Sequence, residues 1–266
     1  VWLVEQEVNG QTVLVPVVYL SQATAERMAA EGALIDGDTL SINSTGKVRN
    51  DGTLSANKGA FLSADTLIND GKINGGGFTG ITTRGDTVNR GRIEGNAIAI
   101  DAGGSVVNTA TFDGLSAKAG VIQNGAGGLQ IDAKVDVINQ GQIASAGHAV
   151  VTAGRDFMQN AATNQMGGVT IKGPTSSLTT GGSAVITTDR DVVLDQSTIT
   201  TGQHAVIDAG RDAHFTASTV DAGGSIAVTA ERDIISDTVS ETHRQVDVDR
   251  TQEGKKKVTT VTVTTE

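Results

Sequence analysis

His148-Ala-Val-Val-Thr-Ala-Gly-Arg155-Asp156 is followed by Ser183-Ala-Val-Ile-Thr-Thr-Asp-Arg190-Asp191, by His204-Ala-Val-Ile-Asp-Ala-Gly-Arg211-Asp212 and by Ser225-Ile-Ala-Val-Thr-Ala-Glu-Arg232-Asp233. Each unit reads as two or three short alternating strands separated by Gly, Asn or Asp corners. The copies step by 35, 21 and 21 residues. A second signal with the same period fills the first half: Asn50-Asp51-Gly52, Asn69-Asp70-Gly71, Asn89-Arg90-Gly91 and Asn139-Gln140-Gly141. Asn108 falls on this series, giving steps of 19, 20 and 19 from Asn50, and Leu54, Ile73, Ile93 and Ile143 follow the turns at one fixed place. Asn124 interrupts it with steps of 16 and 15, which predicts a shortened unit within the irregular stretch 111–130.

A unit of about 20 residues cannot bury an apolar face alone, so the copies must stack. Short strands with tight Gly, Asn and Asp corners predict an all-β fold, a right-handed parallel β-helix in which each coil adds about 4.8 Å. Residues 33–237 would then supply about ten coils and a rod of roughly 50 Å. Leucine-rich repeats share the period but need several Leu per unit and a helix on the convex side, and this chain offers neither. Stacked Asn50, Asn69, Asn89 and Asn108 are expected to form a structural amide ladder.

Composition agrees. Among 266 residues there are 34 Gly, no Cys, five Phe, one Trp and one Tyr, with a net charge of −10. Narrow coils require small branched residues inside, and Gly serves corners with positive φ or close backbone approach. The acidic balance argues against general nucleic-acid binding. No apolar run approaches the roughly 18 residues of a membrane span, and the opening residues do not read as a signal peptide.

Both ends leave the pattern. Residues 1–32 read as a β-hairpin, Trp2–Val8 and Gln11–Leu20 around a type I′ turn at Asn9-Gly10, then a short helix from Ser21 to Glu31. This unit would cap or join the rod. Residues 238–266 read as a Thr/Val-rich polar ribbon, strands Thr238–Val248 and Val258–Thr265 around a loop Asp249–Lys257 whose Lys255-Lys256-Lys257 is more simply solvated than ligand-binding. Within the rod, 157–182 is the largest departure, with Val169–Gly182 as a possible degenerate coil.

Catalytic and metal motifs are absent: no nucleophile elbow, Walker loop, zincin motif or metal-spaced His/Cys cluster. His148 and His204 share a repeat position with Ser183 and Ser225 and read as corner residues, and His214 and His243 are scattered. The reading is therefore non-enzymatic, without cofactor or metal. A polysaccharide-cleaving β-helix, built on carboxylate clusters, remains the distant alternative, because short corners cannot wall a cleft. Arg84-Gly85-Asp86 is the one recognition motif, with Asp86 suited to complete a receptor metal's coordination and Arg84 to reach an acidic pocket. It occupies the corner that elsewhere reads Gly154-Arg155-Asp156, so it equally fits a structural corner with two letters exchanged.

Asn-x-Gly-x-Ile and Ala-Gly-Arg-Asp repeats of this kind resemble those of the filamentous haemagglutinin family, the exoproteins of two-partner secretion. Trp2-Leu3-Val4, Val13-Leu14-Val15-Pro16, Tyr19-Leu20 and Gly32-Ala33-Leu34-Ile35-Asp36-Gly37 resemble a junction found before such repeats. The resemblance implies an internal segment of a secreted, surface-exposed adhesin of a Gram-negative bacterium, and the Arg-Gly-Asp triplet points toward the haemagglutinin members. It further implies export through an outer-membrane transporter, a monomeric rod, and binding to host glycans, including sulphated ones, and to an integrin-type receptor. No glycan-binding residue can be named from the sequence, and the irregular C-terminal half is the candidate region. Toxin-delivery exoproteins share these repeats, so a passive spacer in a contact-dependent toxin-delivery protein is the alternative.

Overall fold

A computed structural model describes residues 2–8, 11–17, 33–239, 244–253 and 256–265. Residues 33–237 form a parallel β-helix with three faces, and no helix occurs among the described residues. An asparagine face of nine strands runs from Lys47–Asn50 to Asp233–Asp237. An isoleucine face and a broad face are joined into one 16-stranded sheet, because Leu34–Asn43 and Thr53–Ala64 run straight across the corner that separates them in later coils. Nine strands on the asparagine face mean nine coils, close to the expected ten, and a rod of about 40 Å.

Register follows the repeat. Leu54, Ile73, Ile93, Ile122, Ile143, Leu178 and Ile199 pair in succession, and all are buried. On the broad face Leu62, Ile81, Ile100, Ile131, Val151, Ile186 and Ile207 make a second buried stack. Burying each such side chain contributes roughly 1.5–3 kcal/mol. Alternation by two sends their neighbours outward, so a single-residue slip would expose a whole stack.

The amide ladder forms. Nδ2 of Asn50 donates to Oδ1 of Asn69 at 2.7 Å, Asn69 to Asn89 at 2.7 Å, Asn89 to Asn108 at 2.8 Å and Asn108 to Asn139 at 3.0 Å. Asn139 then donates to Gln159 Oε1 at 3.0 Å. Each amide also donates to a main-chain carbonyl, such as Arg92 O from Asn69 and Val121 O from Asn89. Beyond Gln159 the column continues as Leu194 and Phe215.

Asn124 is not a member of this ladder. It sits on the isoleucine face, paired with Gly95 and Ser145. The unit from Asn108 to Asn139 is therefore not short. It is a full coil enlarged by an antiparallel hairpin, Ala110–Asp113 with Ser116–Ala119. The 157–182 departure has the same cause: Thr163–Met166 pairs antiparallel with Val169–Lys172, so Val169–Lys172 is a hairpin strand, while Phe157–Gln159 and Ser177–Thr180 belong to the coil. Both hairpins leave after an asparagine-face strand.

Glycine takes both of its expected roles, at different positions. Among the described glycines positive φ occurs at Gly76, Gly114, Gly128, Gly167 and Gly168, and Gly114, Gly167 and Gly168 lie in the hairpin turns. The Asn-x-Gly glycines are there for close approach: a Cβ on Gly71 would lie 2.0 Å from Gly52 O, and one on Gly91 1.9 Å from Gly71 O.

At the ends, Trp2–Val8 pairs antiparallel with Gln11–Val17. The expected helix from Ser21 to Glu31 lies outside the described residues. Arg244–Glu253 pairs antiparallel with Lys256–Thr265, so most of the expected 249–257 loop is strand.

Candidate functional site

Arg84-Gly85-Asp86 occupies the corner between a broad-face strand, Phe78–Thr83, and an asparagine-face strand, Thr87–Asn89. The register Thr87, Val106, Val137, Phe157, Val192, Ala213 places Asp86 in one column with Asp136, Asp156, Asp191 and Asp212. Gly85 therefore stands where Arg155 stands, and Arg84 where Gly154 stands. The corner is exposed, with 62% of the Arg84 side chain accessible. Its two charges already have partners along the rod. Arg84 Nε donates to Asp65 Oδ1 at 3.2 Å and Nη2 to Thr45 O at 2.5 Å, whereas Asp86 Oδ1 accepts from Ser105 N at 2.8 Å. The guanidinium reaches toward the first coil and the carboxylate toward the next one up. Among the described residues the second carboxylate oxygen carries no such bond.

Farther along, the same corner becomes a staircase of ion pairs. Arg155 binds Asp136, Arg190 binds Asp156, Arg211 binds Asp191 and Arg232 binds Asp212, each guanidinium gripping the carboxylate one coil below through Nε and Nη2. Main-chain N–H groups add to it, with Asp191 N donating to Asp156 Oδ1 at 3.2 Å. Burial pushes the Asp156 carboxyl up, but the Arg190 hydrogen bond, the Asp191 N–H and the charges of Arg190 and Arg155 hold it below its ordinary 3.8. The Arg232 hydrogen bond leads in lowering Asp212. Asp156 and Asp212, held charged in this way, lack the raised proton affinity of a general acid.

His148 and His204 sit where the sequence places them. His148 Nδ1 accepts from Ser183 N, and His204 Nδ1 from Ser225 N, both at 3.0 Å. They act as corner acceptors between coils. No group of three or more potential metal ligands occurs among the described residues.

Two surface features escaped the sequence reading. Under the first hairpin lies a notch of about 230 Å³ that includes Lys72, Arg90, Arg92 and Lys118. Three of these cations are paired, Lys72 and Arg92 with Glu94 and Arg90 with Asp70. On the broad face Phe61 and Phe78 lie outside the core, their ring centroids 5.7 Å apart. Neighbouring coils bring them together, and only the register between Phe61, Gly80 and Ala99 reveals it.

Comparison with known proteins fits this architecture. The chain is similar to CdiA toxins. It is 29% identical over 189 residues to "Toxin CdiA" of Yersinia pestis, covering 69% of this chain and 5% of that protein. It is 28% identical over 173 residues to "tRNA nuclease CdiA-2" of Burkholderia pseudomallei strain 1026b, covering 61% of this chain and again 5% of the relative. The shared stretch is thus a small fraction of each relative's length. No protein-family model matches the chain, and no solved structure does.

Proposed function

We propose that this chain is a length of stiff rod within a large exported exoprotein of a Gram-negative cell surface, where its coils hold an activity carried elsewhere at a distance. The observation that carries this reading is the continuity of the three faces through nine coils, with ladders and ion pairs joining each coil to the next. The resemblance to proteins named as toxins over 5% of their length agrees with a part whose work is mechanical. A Cys-free chain also suits passage, unfolded, through an outer-membrane transporter. The test is to delete one whole coil, or to add a copy of one, in the parent protein. Delivery or attachment should change with rod length and should survive charge-swapping substitutions on the faces. Activity indifferent to length would overturn the reading.

A second reading, adhesion through an integrin-type receptor, is favoured by the exposure of Arg84-Gly85-Asp86. Recognition there would require Arg84 to leave Asp65 and Thr45. Cell attachment to the purified chain, compared with Asp86→Glu, tests it: attachment should fall with the longer side chain, and equal attachment would remove the motif from consideration. Host glycans are the companion partners of this reading.

A further inference from the structure

We propose that the outer broad face is the surface through which two copies of this chain pair side by side, parallel and in register. Strand pairing carries Phe61, Ala99, Val150, Val185, Val206 and Ala227 into one outward column along the rod, with Gly80 between the first two. Outside the end coils and the hairpins, the exposed large apolar side chains among the described residues are Phe61, Val150 and Val206, at 45%, 42% and 37%. All three stand in this column. Its polar member, Gln130, turns its amide to Asp132 Oδ2 at 3.1 Å. The other faces offer nothing equivalent. Outward positions on the isoleucine face carry Asn74, Glu94, Gln123, Thr179 and Thr200. Outward apolar residues of the asparagine face, such as Val88 and Ile138, are half-buried on strands of three residues.

Two polar columns flank the apolar one, and they complement each other. On one side stand His148, Ser183, His204 and Ser225, and on the other Thr152, Thr187, Asp208 and Thr229. A two-fold axis along the apolar column sets each flank against the opposite flank of the second copy. Asp208 then faces the partner's His204, and Thr152 the partner's His148. His204 Nδ1 accepts from Ser225 N, so its own proton sits on Nε2, as a donor to a carboxylate. An antiparallel pair would instead set the Thr and Asp column against itself. A second copy is also the partner that meets the column at every coil, because it has the same rise of about 4.8 Å. Nine strands of about five residues give a face of roughly 40 by 17 Å, near the scale of the about 800 Å² that each partner brings to a stable interface. Ala, Val and Thr keep most of it flat, as sheets packed about 10 Å apart require. The net charge of −10 opposes pairing, so moderate salt should favour it.

Such pairing departs from the monomeric rod that the resemblance implies. It is independent of the spacer reading, because one rod and a pair span the same distance. Sedimentation velocity of the purified chain, from nanomolar to high micromolar concentration, should show monomers giving way to dimers, more readily at moderate than at low salt. Val150→Lys with Val206→Lys reduces the negative charge, yet should weaken association at least tenfold. The chain has no Cys, so single replacements report the arrangement. Ala99→Cys and Val206→Cys, four coils and roughly 19 Å apart along the column, should each cross-link to its own counterpart with a short bis-maleimide. Thr200→Cys, on the isoleucine face, should not. Thermal unfolding of the variants checks that the coils remain stacked. A monomer at every concentration, a dimer unchanged in the folded double lysine variant, or a dimer that fails to cross-link at either broad-face position would each overturn the proposal.

Discussion

Replacing Asn89 by Ala isolates what the amide ladder contributes. Asn89 is fully buried and makes three well-formed side-chain hydrogen bonds: it accepts from Asn69 Nδ2 at 2.7 Å and donates to Asn108 Oδ1 at 2.8 Å and Val121 O at 3.1 Å. A net contribution of about 1 kcal/mol per bond gives about 3 kcal/mol, and the orphaned, water-excluded partners raise this toward 4–5 kcal/mol. Asn89→Leu fills the space but leaves the same partners unmet, so it should cost nearly as much. Gln159, at the ladder's end, accepts from Asn139 and donates to Thr198 O, so Gln159→Ala should cost about 2 kcal/mol. Equilibrium urea unfolding followed by far-ultraviolet circular dichroism gives these differences. Hydrogen exchange adds a spatial readout, with protection lost first around Asn69 and Asn108, because coils touch only their neighbours. If Asn89→Ala shifts the unfolding free energy by less than about 1 kcal/mol, no more than a surface substitution, the ladder is decorative and this reasoning fails.

Acid should weaken the coils through their clamped carboxylates. Asp156 and Asp212 have folded pKa values below 3.8, so the unfolded chain binds more protons in this range, and their stabilisation is present above 3.8 and lost as pH falls through the folded values. Melting temperature measured against pH should show this acid limb, and Arg190→Gln should flatten it. Gly71→Ala should destabilise by about 2–3 kcal/mol, because its methyl would meet a main-chain oxygen that cannot move aside. Gly85→Ala, whose Cβ would meet atoms no closer than 3.2 Å, should be much milder in the same urea titration. Excising 110–119 should leave a cooperatively folding rod within about 1 kcal/mol of the parent. A loss of cooperative unfolding would mean that the hairpin organises the coil it interrupts.

The fold was legible because it is written several times over. A stack of Ile and Leu, a turn of Asn and Gly, and an Arg-Asp corner each announce the same period, and each proved to be one column of the solenoid. The error at Asn124 has a definite cause. Asparagine serves two different corners, and linear spacing cannot tell a residue on the isoleucine face from one on the asparagine face when a hairpin has been inserted between them. Removing 110–119 in thought makes this plain, since Asn108-Thr109 then meets Gly120-Val121-Ile122 and the Asn-x-Gly-x-Ile pattern reappears. Phe61 and Phe78 were hidden for another reason. They occupy different positions of their own strands, and only the pairing of Phe61 with Gly80 places the two rings together.

The two insertions explain how such a rod gains features without losing its length. Both hairpins leave at the corner where the asparagine face turns toward the isoleucine face, and their bases meet, a Cβ on Gly173 lying 3.6 Å from that of Ala110. At this corner the chain points away from the core, and the Asn ladder passes underneath. Asn108 Nδ2 reaches Asn139 Oδ1 across 31 residues of sequence with the same geometry that Asn89 uses across 19. Stability flows through contacts between adjacent coils, so additional chain at a corner costs little beyond its own ordering. A solenoid of this kind can therefore vary at its edges and hold its register inside. Its corners, hairpins and outward columns are free to change, while the repeated residues keep one coil seated on the next.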